Sequence, residues 1–267
     1  MTHSLPINYD SVQFNLSDRF YKTGRRKMIV APLDEEQLAA GNLVGTAIGA
    51  ITQHIRTNEL GPGDRLPSEA TLSKELSVSR SVVREAFRSL ATMRLIDLNV
   101  GKRATVAQLD HGAMSLMIEH GVHTAQINIS QVYDVRRTIE MRTATLAALR
   151  RTDAEARIIL DHAQAMEKNF ADADKVMESD LAFHLEIARA SKNPIFSIIV
   201  GAFQGVSRQT WPIGWRSRAS DADRHAMNRI HIELAEAIRA GDPHTASQLM
   251  ARHFDESVRA LIAAGIA

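Results

Sequence analysis

Apolar residues recur at helical spacing through most of the chain. Val44, Ala47, Ile48, Ile51 and Ile55 follow i, i+3, i+4, i+7 and i+11, which sets them on one helix stripe. The helical period begins at Glu35, after residues 1–33, which have no sustained period and end at Pro32. Gly61-Pro62-Gly63 breaks the pattern with turn chemistry. Pro67-Ser68-Glu69 starts a short helix, with Ser68 as its N-cap and Leu72 and Leu76 on its inner face. Ser79 caps a second helix that buries Val83, Phe87 and Leu90. Residues 95–98 and 104–106 read as two short strands joined across 99–103. Past residue 109 no strand signal is convincing. Val132, Ile139 and Leu146 recur at seven with Val135 and Leu149 beside them, and similar patterns run through 153–169, 173–190, 194–209, 220–240 and 243–264. Asp153, Asn193, Trp211-Pro212 and Gly241-Asp242-Pro243 punctuate these segments, which predicts six or seven antiparallel helices in a bundle.

The fold expected is mainly α: an N-terminal winged helix-turn-helix followed by an all-α antiparallel helical bundle. Arg80, Arg84 and Arg88 are spaced by four on the second helix of the pair, so they share one face. Long cationic side chains on such a face fork onto guanine edges or pin phosphates, and a bidentate base contact discriminates by about 1–3 kcal/mol. A lone arginine face is more often merely solvated, and a basic hairpin is often only a hairpin. Here the arginines follow a capped turn and a short helix and precede a hairpin with a basic tip, the order of a winged helix-turn-helix. Arg80 and Arg84 are expected to contact DNA, Ser79 and Ser81 to bond phosphate, and Lys102 and Arg103 to touch backbone from the wing.

At 267 residues the chain is long enough for two cores, and three segments are expected: an arm over 1–34, a DNA-binding domain over 35–108 and a helical domain over 109–267. With 45% apolar and 24% charged residues it has a globular composition, and 5% aromatics favours helices over sheets. No apolar run approaches the ~20 residues of a membrane span, and the N-terminus has no secretory pattern. The absence of cysteine excludes disulfides, thiolate nucleophiles and Cys-ligated zinc, and agrees with a bacterial cytoplasmic location. Net charge is only +1, so DNA affinity must come from local clusters. One such cluster, Arg19, Lys22, Arg25, Arg26 and Lys27, is either a solvated tail or an arm that touches DNA.

A second constellation lies in the helical half. Asp180 and His184 are four apart and point the same way from one helix. His231 shares the stripe of Leu234, Ala235 and Ile238, and His253 that of Leu249, Met250 and Ser257. Each histidine alone reads as a satisfied core residue. Together they place three imidazoles and a carboxylate toward one interior, where a shared cation would supply the partners that burial demands. Imidazole and carboxylate suit Zn, Ni, Mn or Fe.

The segment GDRLPSEATLSKELSVSRSVVREAFRSL resembles the winged helix-turn-helix of GntR-family transcription regulators, with LPSE, VSR and VREA carrying the likeness over residues 40–108. Two positions depart from the family: Ala70 stands where an arginine after LPSE often contacts DNA, and NVGKRATV replaces a glycine-rich wing tip. The region from Gln131 to Ala260 resembles the FCD ligand-binding domain, on VYDVRRTIE, DLAFHLEIARASKNP, HIELAEAIRAGD and MARHF, which makes the chain similar to the FadR subfamily. That resemblance implies a divalent cation held by Asp180, His184, His231 and His253, and argues against an acyl-CoA effector. Arg136 matches the arginine of the V-R-x-x-x-E pattern, four before Glu140. Two readings stay open for it: a surface ion pair, or a group at the pocket rim that forks onto an effector carboxylate. Trp211 and Trp215 are expected to pack the bundle, and Arg208 is a weak pocket candidate.

The function expected is a DNA-binding transcription regulator, a repressor, acting as a homodimer on a pseudo-palindromic operator. A small carboxylate, such as a sugar acid or other organic acid, would bind at the metal and release it from DNA. One rival is a direct metal sensor. The other is a metal-dependent hydrolase or lyase, since three His and one Asp can activate water, but no general base accompanies the set. No enzymatic activity is expected.

Overall fold

The computed structural model describes residues 42–266. The basic cluster of residues 19–27 and the start of helical periodicity at Glu35 lie outside the described residues. These fall into two compact units, one running to Ala91 and resuming over Leu95–Ala107, the other comprising Thr92–Arg94 and everything from Gln108 onward.

The first unit is built on three helices and a small sheet. Helix α1 (Leu43–Thr57) is capped by Asn42, whose side chain accepts from Gly45 N–H at 2.9 Å. Helix α2 (Glu69–Glu75) is capped by Ser68, which accepts from Thr71 N–H at 3.1 Å. In helix α3 (Arg80–Thr92), Ser79 Oγ accepts from Val82 N–H at 3.3 Å. The turn between α2 and α3 places Ser77 at φ 56°, and Ser73 Oγ stitches it by donating to Val78 C=O at 2.6 Å. Ala47, Ile51, Leu66, Leu72, Leu76, Val83, Phe87 and Leu90 form one buried core, with Val44, Ile48 and Ile55 packed on it. The helical stripes predicted for α1 to α3 are therefore the faces that meet.

Strands β1 (Ile96–Asp97) and β2 (Thr105–Val106) pair antiparallel, Ile96 opposite Val106. They are shorter than the two runs predicted. A third segment joins them: Arg65 bridges to Thr105, and Gly63 and Leu66 donate to the carbonyls of Val106 and Ala104, each at 2.8 Å. Sequence reading saw only turn chemistry there, because two glycines and a proline mask so short an extended piece. The tip of the hairpin turns through Gly101 at φ 71°, with Lys102 and Arg103 exposed.

The second unit is all helix among its described residues: α4 (Gly112–His123), α5 (Ile129–Arg150), α6 (Asp153–Lys168), α7 (Ala173–Ala190), α8 (Pro194–Ala202), α9 (Gln204–Ser217), α10 (Asp221–Ala240) and α11 (Pro243–Ala263). Eight helices replace the six or seven expected. The segment read as one helix over 194–209 breaks at Phe203, which ends α8 and precedes α9. Trp211-Pro212, read as a breaker, lies inside α9. Capping boxes at Asn128, Thr152 and Ser220 fix the starts of α5, α6 and α10. Gly241 closes α10 at φ 74°, a conformation other residues resist, and Asp242 then caps α11. Helix α5 packs on α11 and α7, and α6 on α7 and α10. Phe183, Phe254, Ile159, Met166, Ile187 and Leu234 are fully buried between them, each worth about 1.5–3 kcal/mol.

The inner face of α5 is broader than its apolar spacing predicts. Val132 and Leu146 of the predicted stripe are buried and Ile139 is half-buried, but Val135 and Leu149 are exposed. Tyr133, Arg136, Glu140, Thr143 and Ala147 are buried as well. A helix face that carries a buried ion pair has few apolar residues to mark it.

Candidate functional site

Two sets of side chains carry chemistry. In the first unit, Arg80 begins α3 and is exposed, as are Ser79, Ser81 and Arg88. Ser79 Oγ and Ser81 Oγ lie 2.7 Å apart at the helix start. Arg84 is exposed but not loose: its Nε and Nη2 donate to Glu69 of α2, the latter at 2.9 Å. Glu69, noted from sequence only as an acid at a helix start, thus orients one of the predicted reading arginines. Lys102 and Arg103 stand exposed at the hairpin tip.

The second set is buried in the helical unit. Helix α7 supplies Asp180 and His184, α10 supplies His231 and α11 supplies His253, and ligand atoms of all four lie within 4.8 Å of one another. All four residues are buried. Three of their nitrogens, His184 Nε2, His231 Nε2 and His253 Nδ1, are enclosed without a hydrogen-bond partner. His231 Nε2 does lie 2.9 Å from Asp180 Oδ1, but without the alignment a hydrogen bond needs. Three such orphans in one place are abnormal in a folded interior, because each costs free energy with nothing in return.

Contacts behind the cluster set the imidazole orientations. His184 Nδ1 lies 2.5 Å from Glu140 Oε2, and His231 Nδ1 donates to Met227 C=O at 3.1 Å. Each of these contacts uses one ring nitrogen and leaves the other as a lone pair, the arrangement seen behind metal-ligating histidines. Burial and the neighbouring imidazoles push the His253 ring well below its usual range, so it stands neutral. Burial alone would raise the Asp180 carboxyl, but the imidazoles of His231, His184 and His253 outweigh it and hold the group ionised. Phe183 meets the rings of His184 and His231 edge-on and helps to enclose the cluster. Three imidazole nitrogens without hydrogen-bond partners, gathered with an ionised carboxylate, form a donor set that fits a divalent cation.

The cluster lines a small cavity of about 40 Å3. Tyr133, Arg136, Ser207, Thr210, Trp211, Trp215, Arg218 and Asn228 are among its walls. Arg136 does form the i, i+4 ion pair with Glu140, but the pair is buried, not on the surface. Its Nε donates to Glu140 Oε1 at 2.8 Å and its Nη1 to Ser207 Oγ at 2.8 Å, while its guanidinium lies 5.0 Å from the Phe254 ring centre. Arg136 and His184 hold the Glu140 carboxyl below its usual range, against the opposing pull of burial. Trp211 and Trp215 stack on each other, 4.9 Å between ring centres, and they line the cavity as well as packing against the core. Arg208 is not among the cavity's wall residues; it is exposed and paired with Glu178. Sequence reading missed Glu140, Ser207 and Arg218 as parts of the site. The Arg136–Glu140 spacing carried a signal for the first, but nothing in the sequence marked the other two.

Residues 43–106 match the family model described as bacterial regulatory proteins, gntR family, and residues 131–256 match the FCD domain. The transcriptional repressor NanR of Enterobacter sp. is 30% identical over 77% of this chain and 80% of its own length. The transcriptional regulator LutR of Bacillus subtilis is 29% identical over 74% of this chain and 92% of its own. Among solved structures, Streptococcus agalactiae GntR is 26% identical, covers 81% of this chain and 98% of its own, and superposes with a TM-score of 0.58. These relatives are transcription regulators, not enzymes. No described helix is long and apolar enough to cross a membrane. A DNA-reading winged helix-turn-helix and an FCD domain in one polypeptide establish that this chain is a transcription regulator and belongs to the GntR family.

Proposed function

We propose that the protein is a repressor whose operator binding is released by a small carboxylate, and that its helical unit holds a divalent cation on Asp180, His184, His231 and His253. The observation that carries this reading is the set of three buried imidazole nitrogens without hydrogen-bond partners, gathered with Asp180 in the wall of a cavity. A bound cation supplies concentrated positive charge that attracts carboxylate oxygens. Arg136, which lines the same cavity, offers a guanidinium able to fork onto an acid. Zn, Ni, Mn and Fe all accept such ligands.

On the DNA side, Arg80 and Arg84 read base edges, Ser79 and Ser81 bond phosphate, and Lys102 and Arg103 touch the backbone. A homodimer would present two such surfaces to matched half-sites. The effector must favour one dimer geometry over another to change DNA affinity. The relative named as a repressor supports the sign of regulation.

The test is metal analysis of the purified protein, followed by thermal shift against small carboxylates with and without chelator. Stoichiometric metal that is lost in His231→Ala, with acid-dependent stabilisation that disappears on chelation, is the expected result. A protein without metal whose stability ignores added Zn, Ni, Mn and Fe would overturn the reading. Metal binding that itself releases operator, with no acid required, would recast the protein as a metal sensor.

A further inference from the structure

Arg218 stands at the junction of two cavities. It follows the last residue of α9 and lines the metal-ligand cavity together with Asp180 and His231. It also lines a second, more open cavity with Asp223, Arg252, Glu256 and Arg259, and Met227 is likewise common to both. Its side chain is partly buried and its Nη1 donates to Gly214 C=O at 2.8 Å. Three nearby arginines have carboxylate partners: Arg136 has Glu140, Arg224 has Asp221, Arg259 has Glu256. Among the described residues no carboxylate lies within ion-pair distance of Arg218. Asp180 and Glu256 act on it only at longer range, and burial works against its charge. A guanidinium does not shed its proton to escape this cost, so a bound anion would stabilise it at close range.

The charge balance says which kind of anion. Glu140 cancels Arg136, and Asp180 offsets Arg218. Imidazoles bind metal in the neutral form. A divalent cation on the four ligands then leaves the cavity two positive charges in excess, and a single carboxylate neutralises half of that.

We infer that Arg218 is a second anion-recognition residue and that the effector class is a small diacid. One acid group faces the metal ligands and Arg136, and the other pairs with Arg218. This rests on the metal-and-carboxylate reading above and narrows it: a monoacid would leave Arg218 uncompensated. The outer cavity, which shares Arg218, gives the anion an approach from solvent.

The test uses the metal-loaded full-length protein and chain-matched acids: malonate with propionate, succinate with butyrate, glutarate with valerate, adipate with hexanoate. Affinities are measured by calorimetry. At least one diacid should bind about tenfold or more tighter than its monoacid, as expected for a desolvated bidentate guanidinium–carboxylate contact. Arg218→Gln, which keeps a donor for the Gly214 carbonyl, should erase that preference while metal content is unchanged. Arg218→Lys, which keeps the charge, should restore part of it, so loss in both variants together with lost metal would mark a folding defect, and the wild-type comparison then decides. Equal affinities within each pair for the wild type, or a preference that survives Arg218→Gln, would overturn the inference while leaving the metal-and-carboxylate reading intact. No binding of any acid to the metal-loaded protein would overturn both.

Discussion

Glu140 Oε2 stands 2.5 Å from His184 Nδ1, across the contact between α5 and α7. Its other oxygen accepts from Arg136 at 2.8 Å. One buried carboxylate therefore ties an imidazole of the proposed metal site to a cavity guanidinium. Replacing an outer partner of this kind typically costs 10–100-fold in metal affinity. Glu140→Gln should weaken metal binding by about that factor, measured by competition with a chelating dye, and leave helical content near wild type. An unchanged affinity would mean that Glu140 serves only Arg136.

Removing the metal should be costly as well. Without a cation, His184 Nε2, His231 Nε2 and His253 Nδ1 stay buried and unpaired. A cation present at 100 times its dissociation constant stabilises the folded state by about 2.7 kcal/mol. Chelation should lower the melting temperature of the wild type by several degrees, and His231→Ala should show no response to chelator. If both proteins respond alike, the stabilising metal sits elsewhere.

Much of this architecture is legible without coordinates. Ser68 and Ser79 announce α2 and α3, and Gly241-Asp242-Pro243 separates α10 from α11, because caps have few chemical solutions. Asp180, His184, His231 and His253 stand out because polar groups interrupt apolar stripes, and they do converge. What stays hidden is polar support on faces that look like surface. Arg136 and Glu140 form an i, i+4 pair of the kind that decorates exposed helices, and only the packing of α7, α10 and α11 on α5, with Ser207 of α9 over Arg136, buries it. Pro212 misled for a related reason. Proline removes one donor from a helix, which a helix held by tertiary packing tolerates.

The reading helix makes separable predictions. Arg80 sits exposed at the first position of α3 and should contact bases, whereas Lys102 at the hairpin tip should contact phosphate. Arg80→Ala should cost specific operator affinity and leave metal content intact. Lys102→Ala should weaken binding to all sequences alike and reduce the salt slope by about one. Fluorescence anisotropy over a salt series, with operator and scrambled duplexes, separates the two. Matching slopes and matching specificity ratios would remove the distinction drawn between helix and wing.

Glu69 supplies the last prediction. It holds Arg84 through two guanidinium donors, although an acid next to a proposed DNA contact would repel phosphate. Those two effects oppose each other and act on different observables. Fixing the guanidinium favours the right base over the wrong one, whereas repulsion lowers affinity for every duplex. Glu69→Ala should therefore leave nonspecific affinity unchanged or higher, and reduce the ratio of operator to scrambled-duplex affinity several-fold. The pair is solvent-exposed, so the melting temperature should not move. A variant with both affinities raised equally would show that Glu69 acts only by repulsion and that Arg84 finds its base unaided. The double variant Glu69→Ala with Arg84→Ala decides further: if Glu69 works through Arg84, its effect on the specificity ratio vanishes once Arg84 is gone.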